Sequence, residues 1–190
     1  MRPRKTVVAL VGLPSSGKTI LGNFLELSGF RFLPEVAEAL RQRGATVGEK
    51  AGFDFDRKVM QMEFRRDHYF LCSSHTVLIV ETWHLGNIAY ATARSSPIVR
   101  TYKSRFSSTA EKVRIRCIVL NINPSTSYLR SLKSKKSAEN SLKFLEAVQR
   151  HTRSVLEEFR LPSIVIDASK GAEEIAFDAS KAIRAWVSTE

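Results

Sequence analysis

The chain has 190 residues, 43% of them hydrophobic and 26% charged, with a formal net charge of +11. That length and balance suit a soluble single domain, residues 1–190, with a sizeable core. No run approaches the roughly 20 apolar residues of a spanning helix. Cys72 and Cys117 are the only cysteines, too few for a disulfide framework, and a reducing cytoplasmic setting is the expectation.

The basic balance raises nucleic acid as a partner. Its Lys and Arg residues, however, fall in small groups, at 65–66, 100–105, 112–116 and 130–136, rather than in one tract with interleaved aromatics. Nucleic acid is therefore the weaker expectation, and a phosphorylated small molecule would suit the same charges.

In chain order, residues 5–11 are β-branched and apolar and read as a first strand. The basic residues before them give the start a look of a signal peptide. The apolar run is short, though, and cleavage after it would destroy the glycine-bearing loop at 12–19, so no signal is expected. That loop, Gly12-Leu13-Pro14-Ser15-Ser16-Gly17-Lys18-Thr19, spells G-x-x-x-x-G-K-T, the phosphate-binding loop pattern. Two glycines let the backbone turn and approach phosphates closely. The loop's N–H groups then form an anion nest, and the next helix adds its positive end. Lys18 supplies a cation for the β- and γ-phosphates and Thr19 a hydroxyl for Mg²⁺. The expected nucleotide contacts are Gly12, Leu13, Pro14, Ser15, Ser16, Gly17, Lys18, Thr19 and Ile20. The pattern needs a strand before it and a helix after it, and apolar residues at helical spacing over 20–27 meet the second condition.

Residues 17–28 read as a helix stopped by Gly29, and 30–33 as a short strand. Pro34 and Glu35 open a helical stretch to residue 41. Residues 43–52 carry three glycines and read as a loop; 55–73 read as a helix with Val59, Met62, Tyr69 and Phe70 on an apolar face. Residues 75–80 read as a third strand, almost wholly apolar, as a strand buried on both faces should be. Residues 85–94 are helical, and 97–109 are basic and serine-rich without a clear assignment. Residues 113–120 give a fourth strand, and Pro124 and Ser125 open a short helix through Arg130. A polar stretch at 131–141 reads as exposed. A long helix, a fifth strand at 163–167 and a closing helix at 173–187 complete the chain.

Strands alternate with helices throughout. The expectation is an α/β fold of the P-loop NTPase type: a five-stranded, mainly parallel, doubly wound sheet with helices on both faces and a small lid near 126–141. Ligands of such a sheet gather at the carboxyl ends of the strands. Those ends carry Gly12, Glu35, Glu81, Asn121/Asn123 and Asp167. A GTPase would need an N-K-x-D base reader after the fourth strand, where Asn121-Ile122-Asn123-Pro124 stands instead.

Beyond the loop, Glu81-Thr82-Trp83-His84-Leu85-Gly86-Asn87-Ile88-Ala89-Tyr90 resembles the D-R-Y-x-x-S-x-x-A-Y motif of thymidylate kinases. The motif's Arg is Thr82 here and its Ser is Gly86. Leu33-Pro34-Glu35-Val36 resembles the second-strand end of deoxynucleoside kinases, where a glutamate faces the phosphate acceptor. Asp167-Ala168-Ser169 looks like their last strand end, whose following loop commonly touches adenine. The resemblance to the P-loop nucleoside and nucleotide kinases covers nearly the whole chain. It implies an ATP- and Mg²⁺-dependent phosphotransferase acting on a nucleoside, nucleotide or similar small acceptor.

In that picture Lys18, Glu35 and Arg130 are the catalytic candidates. Thr19 and Glu81 would hold the metal, and Glu35 would orient the acceptor hydroxyl or bind its sugar. Arg130, with Lys133, Lys135 and Lys136, would close over the transferring phosphoryl group. Arg65, Arg66 or Arg94 would hold an acceptor phosphate, and Trp83, Phe53, Phe55 and Tyr69 are candidates to stack on a base. A homodimer is open. A stand-alone P-loop ATPase or switch working with a protein or nucleic acid is the alternative function, and a binding protein that has lost acceptor chemistry is a third.

Overall fold

The computed structural model describes residues 5–133 and 140–188. Its centre is β1 (Thr6–Gly12), whose seven residues are almost wholly buried. Val7, Ala9 and Val11 point into one core cluster and Val8 and Leu10 into another, the alternation a strand covered on both faces requires.

The other strands are β2 (Arg31–Leu33), β3 (Val77–Glu81), β4 (Arg114–Asn121) and β5 (Ser163–Asp167). They form one sheet in the order β2-β3-β1-β4-β5, and every neighbouring pair is parallel. The expected doubly wound sheet is therefore present and wholly parallel. Connections from β1 and β3 leave in opposite directions, to β2 and β4 respectively. A crevice opens above their carboxyl ends as a result.

Among the described residues eight α-helices cover the faces: α1 (Lys18–Leu27), α2 (Val36–Gln42), α3 (Phe53–Cys72), α4 (Trp83–Ala93), α5 (Val99–Ala110), α6 (Pro124–Lys133), α7 (Leu142–Glu158) and α8 (Ala172–Ser188). One core cluster joins the sheet to α3, α4 and α5, the other joins it to α1 and α8, and α7 contributes to both.

Several expectations shift. Strand β3 starts two residues later than expected and runs on through Glu81, so that carboxylate is part of the strand. The unassigned stretch is the helix α5, held by Tyr102, Phe106 and Thr109, buried at helical spacing on an otherwise basic segment. Helix α6 continues past Arg130 to Lys133, and the lid residues at 134–139, Lys135 and Lys136 among them, lie outside the described residues. On α3, Val59 and Phe70 are buried as expected, but Tyr69 is 61% exposed. The buried stripe of α3 is instead Asp56, Val59, Met60, Glu63, Asp67 and Phe70, half of it acidic.

Candidate active site

The phosphate loop joins β1 to α1. Gly12 has φ of 151°, and a Cβ there would stand 2.5 Å from the Leu120 carbonyl oxygen of β4, so only glycine fits this strand end. Gly17, at φ of 94°, caps α1. Lys18 is buried, and its Nζ donates to the carbonyls of Gly12 at 3.0 Å and Leu13 at 2.9 Å. The hydroxyl of Ser16 is also buried and has no hydrogen-bond partner among the described residues. A donor hydroxyl and an ammonium are thus gathered in the loop at a helix N-terminus, a set that suits phosphate. Ile20 begins the outward face of α1, with its side chain 55% exposed.

The register Leu10↔Glu81 brings the end of β3 beside the loop. There Thr19 Oγ1 donates to Glu81 Oε1 at 2.8 Å. A hydroxyl and a buried carboxylate side by side are hard oxygen donors, the kind Mg²⁺ takes alongside phosphate oxygens and water. Among the described residues, no group of three or more His, Cys, Asp or Glu forms a fuller metal cage.

Helix α6 props the loop from the other side. Ser127 Oγ donates to the Pro14 carbonyl at 2.7 Å, and the hydroxyls of Ser131 and Ser15 meet at 3.1 Å. Arg130 Nη1 donates to the Ala168 carbonyl at 3.2 Å and reaches the Ser15 carbonyl at 3.5 Å. It therefore ties the loop to the residue after β5. The other strand-end polar groups serve local turns. Asn123 Oδ1 accepts from Ser125 N, and Asp167 Oδ1 accepts from Ser169 N, a bond that holds the Asp167 carboxyl below its ordinary range.

Immediately after Glu81 the backbone turns sharply. Thr82 and Trp83 have φ of 62° and 46°, and Thr82 N–H donates to the Leu10 carbonyl at 2.8 Å. In this pose the Thr82 methyl lies over Gly86, where a Cβ would meet it at 2.5 Å. The two departures from the kinase motif are thus one packing unit. A serine at 86 does not fit over this threonine.

Glu35 stands at the N-cap position of α2, half-buried, and its side chain makes no capping hydrogen bond. The pairing Leu33↔Val80 sets it beside the Glu81 strand end. It is near enough to Glu63 to act on that carboxyl electrostatically.

Between α3 and α4 lies a feature the sequence did not announce. Three buried carboxylates on α3 meet partners on antiparallel α4. Asp67 accepts from Trp83 Nε1 at 2.9 Å and His84 Nε2 at 2.6 Å. Glu63 accepts from Asn87 Nδ2 at 3.0 Å and pairs with Arg66 on its own helix at 3.3 Å. Asp56 pairs with Arg94, which also donates to the Gly48 carbonyl at 2.8 Å.

Burial sets the charges in this layer. It pushes the Glu63 carboxyl up to about 8, against the pull of Arg66, with Asp67 and Glu35 adding to the rise. Burial likewise lowers His84, so the imidazole stays neutral. With Nε2 donating to Asp67, its Nδ1 accepts from the Tyr102 hydroxyl at 3.2 Å. Phe64, Trp83, Tyr102 and Phe106 pack around this ring.

The site candidates therefore divide. The loop, Thr19, Glu81 and Glu35 come together at adjacent strand ends, and Arg130 flanks the loop. Arg94 and Arg66 are engaged with Asp56 and Glu63, Arg65 is exposed, and Trp83 is buried against Asp67. Phe53 and Tyr69 are exposed at opposite ends of α3. The signal for the α3–α4 layer was present in the spacing of Asp56, Glu63 and Asp67 against Trp83/His84, Asn87 and Arg94.

A wholly parallel doubly wound sheet with a G-x-x-x-x-G-K-T loop at the end of its central strand defines a P-loop NTPase fold. The chain belongs to the AAA domain family, whose model matches residues 7–174. In three dimensions it is similar to the deoxyadenosine kinase of M. mycoides. The TM-score is 0.71 for that enzyme with the products dCMP and a flexible dCDP, and 0.69 and 0.63 for its dATP and dCTP complexes. Each alignment covers 94% of this chain and 99% of the kinase at 13% identity. No curated protein is similar enough in sequence to count as a match. The expected fold, that of the P-loop nucleoside kinases, is met.

Proposed function

We propose that residues 1–190 work as a single kinase-like domain, an ATP- and Mg²⁺-dependent phosphotransferase whose acceptor is a nucleoside, nucleotide or similar small molecule. The observation that carries this reading is the 2.8 Å contact of Thr19 with Glu81 at the mouth of the phosphate loop, one strand away from Glu35. A switch needs the loop and its metal donors alone; the second carboxylate beside them gives an acceptor something to bind.

Phosphoryl transfer asks a protein mainly for positioning and charge stabilisation. Lys18 swings from the Gly12 and Leu13 carbonyls to the donor phosphates, and Ser16 Oγ and the loop amides hold them. Thr19 and Glu81 would hold Mg²⁺, whose positive charge would offset that of the phosphates. Glu35 accepts a hydrogen bond from the acceptor hydroxyl or sugar. Arg130, anchored on Ala168 and Ser15, fixes the loop against the end of β5 and stands beside the donor. ATP as donor is supported by the dATP and dCTP complexes of the similar kinase. A second copy of the chain is the protein partner this reading includes.

A reducing, cytoplasmic setting suits the cysteines. Both are free, and burial raises the Cys117 thiol to about 12, which leaves it inert. Among the described residues no helix is long and apolar enough to cross a membrane.

The test is ADP release from ATP and Mg²⁺ against a panel of nucleosides, nucleotides and small hydroxyl compounds. Release that depends on one of these acceptors, with phosphate found on it, supports the reading. Release driven only by DNA, RNA or a protein overturns it in favour of an ATPase or switch, the function the AAA domain family name suggests.

A further inference from the structure

Helix α3 sorts its charges by face. Asp56, Glu63 and Asp67 are buried, and its one exposed acid, Asp54, is held by Arg57 at 2.9 Å. Outward it presents Lys58, Arg65, His68 and Tyr69, the tyrosine 61% exposed. Lys58, Arg65 and Tyr69 stand seven and then four residues apart, which puts them in one row along the helix. At a rise of about 1.5 Å per residue, Arg65 is about 10 Å from Lys58 along the axis and about 6 Å from Tyr69.

Helix α5 extends this face. The Arg105 guanidinium lies 5.9 Å from the ring of Phe64, the residue before Arg65 on α3. From Val99 to Ala110 the helix carries Arg100, Lys103 and Arg105 and no acid, and Thr101, Ser104 and Ser108 are exposed around Arg105. Lys103 is satisfied by Glu158. The side chains of Lys58, Arg65 and Tyr69, by contrast, make no hydrogen bond or ion pair among the described residues. Basic groups that lie apart in the sequence, at 57–58, 65–66 and 100–105, are thus gathered on one side of the fold, with an exposed aromatic among them.

We propose that the α3–α5 face binds single-stranded nucleic acid, with Lys58, Arg65 and Arg105 on its phosphates and Tyr69 stacked on one base. Charge complementarity and the tyrosine together carry the choice of partner. Three cations with no exposed acid left unpaired on their helices suit a chain of phosphates, and the net charge of +11 draws such a chain in from a distance. A base freed from a duplex offers a flat face to an exposed tyrosine in line with those cations. An acidic protein segment offers the charge without that face, and a duplex hides its base faces in its own stack. The exposed hydroxyls on α5 add donors for phosphate and sugar oxygens. The proposal does not rest on the phosphotransferase reading, because none of these side chains belongs to the phosphate loop or its metal donors.

Fluorescence anisotropy of labelled oligothymidine and oligouridine, each about 20 nucleotides long, tests it with the full chain and no ATP. Saturable binding of either strand that weakens as salt rises is the expected result, and the tighter of the two tells DNA from RNA. Arg65→Gln and Arg105→Gln should each reduce the slope of log affinity against log salt by about 0.7, one phosphate contact on a single strand. Tyr69→Ala should weaken binding about tenfold, the loss of one base stack, and Tyr69→Phe should keep it. Lys181→Gln, on α8 across the sheet, should leave the slope unchanged. All these positions are exposed, and circular dichroism confirms that the variants fold. No binding at low salt overturns the proposal. So does displacement by polyglutamate as readily as by the oligonucleotide, which gives the face to an acidic protein, or displacement by ATP and Mg²⁺, which puts the strand on the phosphate loop. A duplex bound as tightly as a single strand, affinity indifferent to Tyr69→Ala, or a Lys181→Gln loss equal to that of Arg65→Gln overturns it too.

Discussion

The phosphate loop and the layer between α3 and α4 are made from different materials. On the donor side the loop is built from backbone: amides, a glycine pressed against the Leu120 carbonyl, and a helix N-terminus, with Lys18 and Thr19 added within two residues of each other. Between α3 and α4 the structure is built from side chains. Asp56, Glu63 and Asp67 are matched with Arg94, Asn87 and the Trp83–His84 pair across sequence gaps of 16 to 38 residues. A backbone device tolerates varied side chains but needs its few fixed positions. A buried polar layer depends on every member, because each deletion leaves a partner unsatisfied. The first kind of region should lose function without losing its fold, and the second should lose its fold first.

The largest expected effect tests the donor half of that contrast. Lys18→Ala should lower ATP turnover by about 10²–10³-fold, the cost of one donor aimed at developing charge, while the thermal midpoint hardly moves. Unchanged turnover would mean the loop does not hold the phosphates. On the other side, Asp67→Ala strips the Trp83 and His84 N–H groups of their acceptor in a dry core. It should cost about 3 kcal/mol in urea unfolding, and a loss below about 1 kcal/mol would show that water replaces the carboxylate.

The boundary between the two regions has its own test. Gly86→Ala drives a methyl into Thr82 and should cost about 2 kcal/mol. Thr82→Ser removes the clashing methyl, so the double variant should recover most of that loss, a coupling read from a double-mutant cycle.

The last test is in the pH dependence. Glu63 holds its proton up to about 8 in the folded chain, against an ordinary value of 4.5. Below about 4.5 both folded and unfolded states are protonated, and burial carries no penalty. As pH rises from there towards 8, unfolding releases a proton and stability falls. Glu63→Gln keeps the shape without the proton, so its stability relative to the parent should climb across that window and level off above it. Melts at pH 5.5 and 8.5 that show the parent gaining on the variant would refute a protonated Glu63.

This difference in construction also explains what the sequence revealed. The loop, the strands and their parallel order follow from local patterns: an apolar run, a fixed glycine spacing and alternation with helices. Glu81 and Glu35 were visible because a polar residue after an apolar strand stands out. The α3–α4 layer was not, since acidic residues on a helix ordinarily read as a solvated face, and Asp56, Glu63 and Asp67 gain meaning only once α4 is laid against them. Trp83 suggested a base-stacking surface for the same reason, and the structure gives it to Asp67. Helix α5 escaped notice because Tyr102, Phe106 and Thr109 are few among many basic and hydroxyl residues.

The position of β1 in the sheet bears on how the chain comes to be made. The strand leaves the ribosome well before its two neighbours, β3 and β4, which begin at Val77 and Arg114. Parallel pairing across such separations is slow and must wait for the later strand to be synthesised. A nascent chain ending before Leu120 carries the whole phosphate-loop motif but lacks the Leu120 carbonyl that packs against Gly12. It should bind no nucleotide until that residue has emerged.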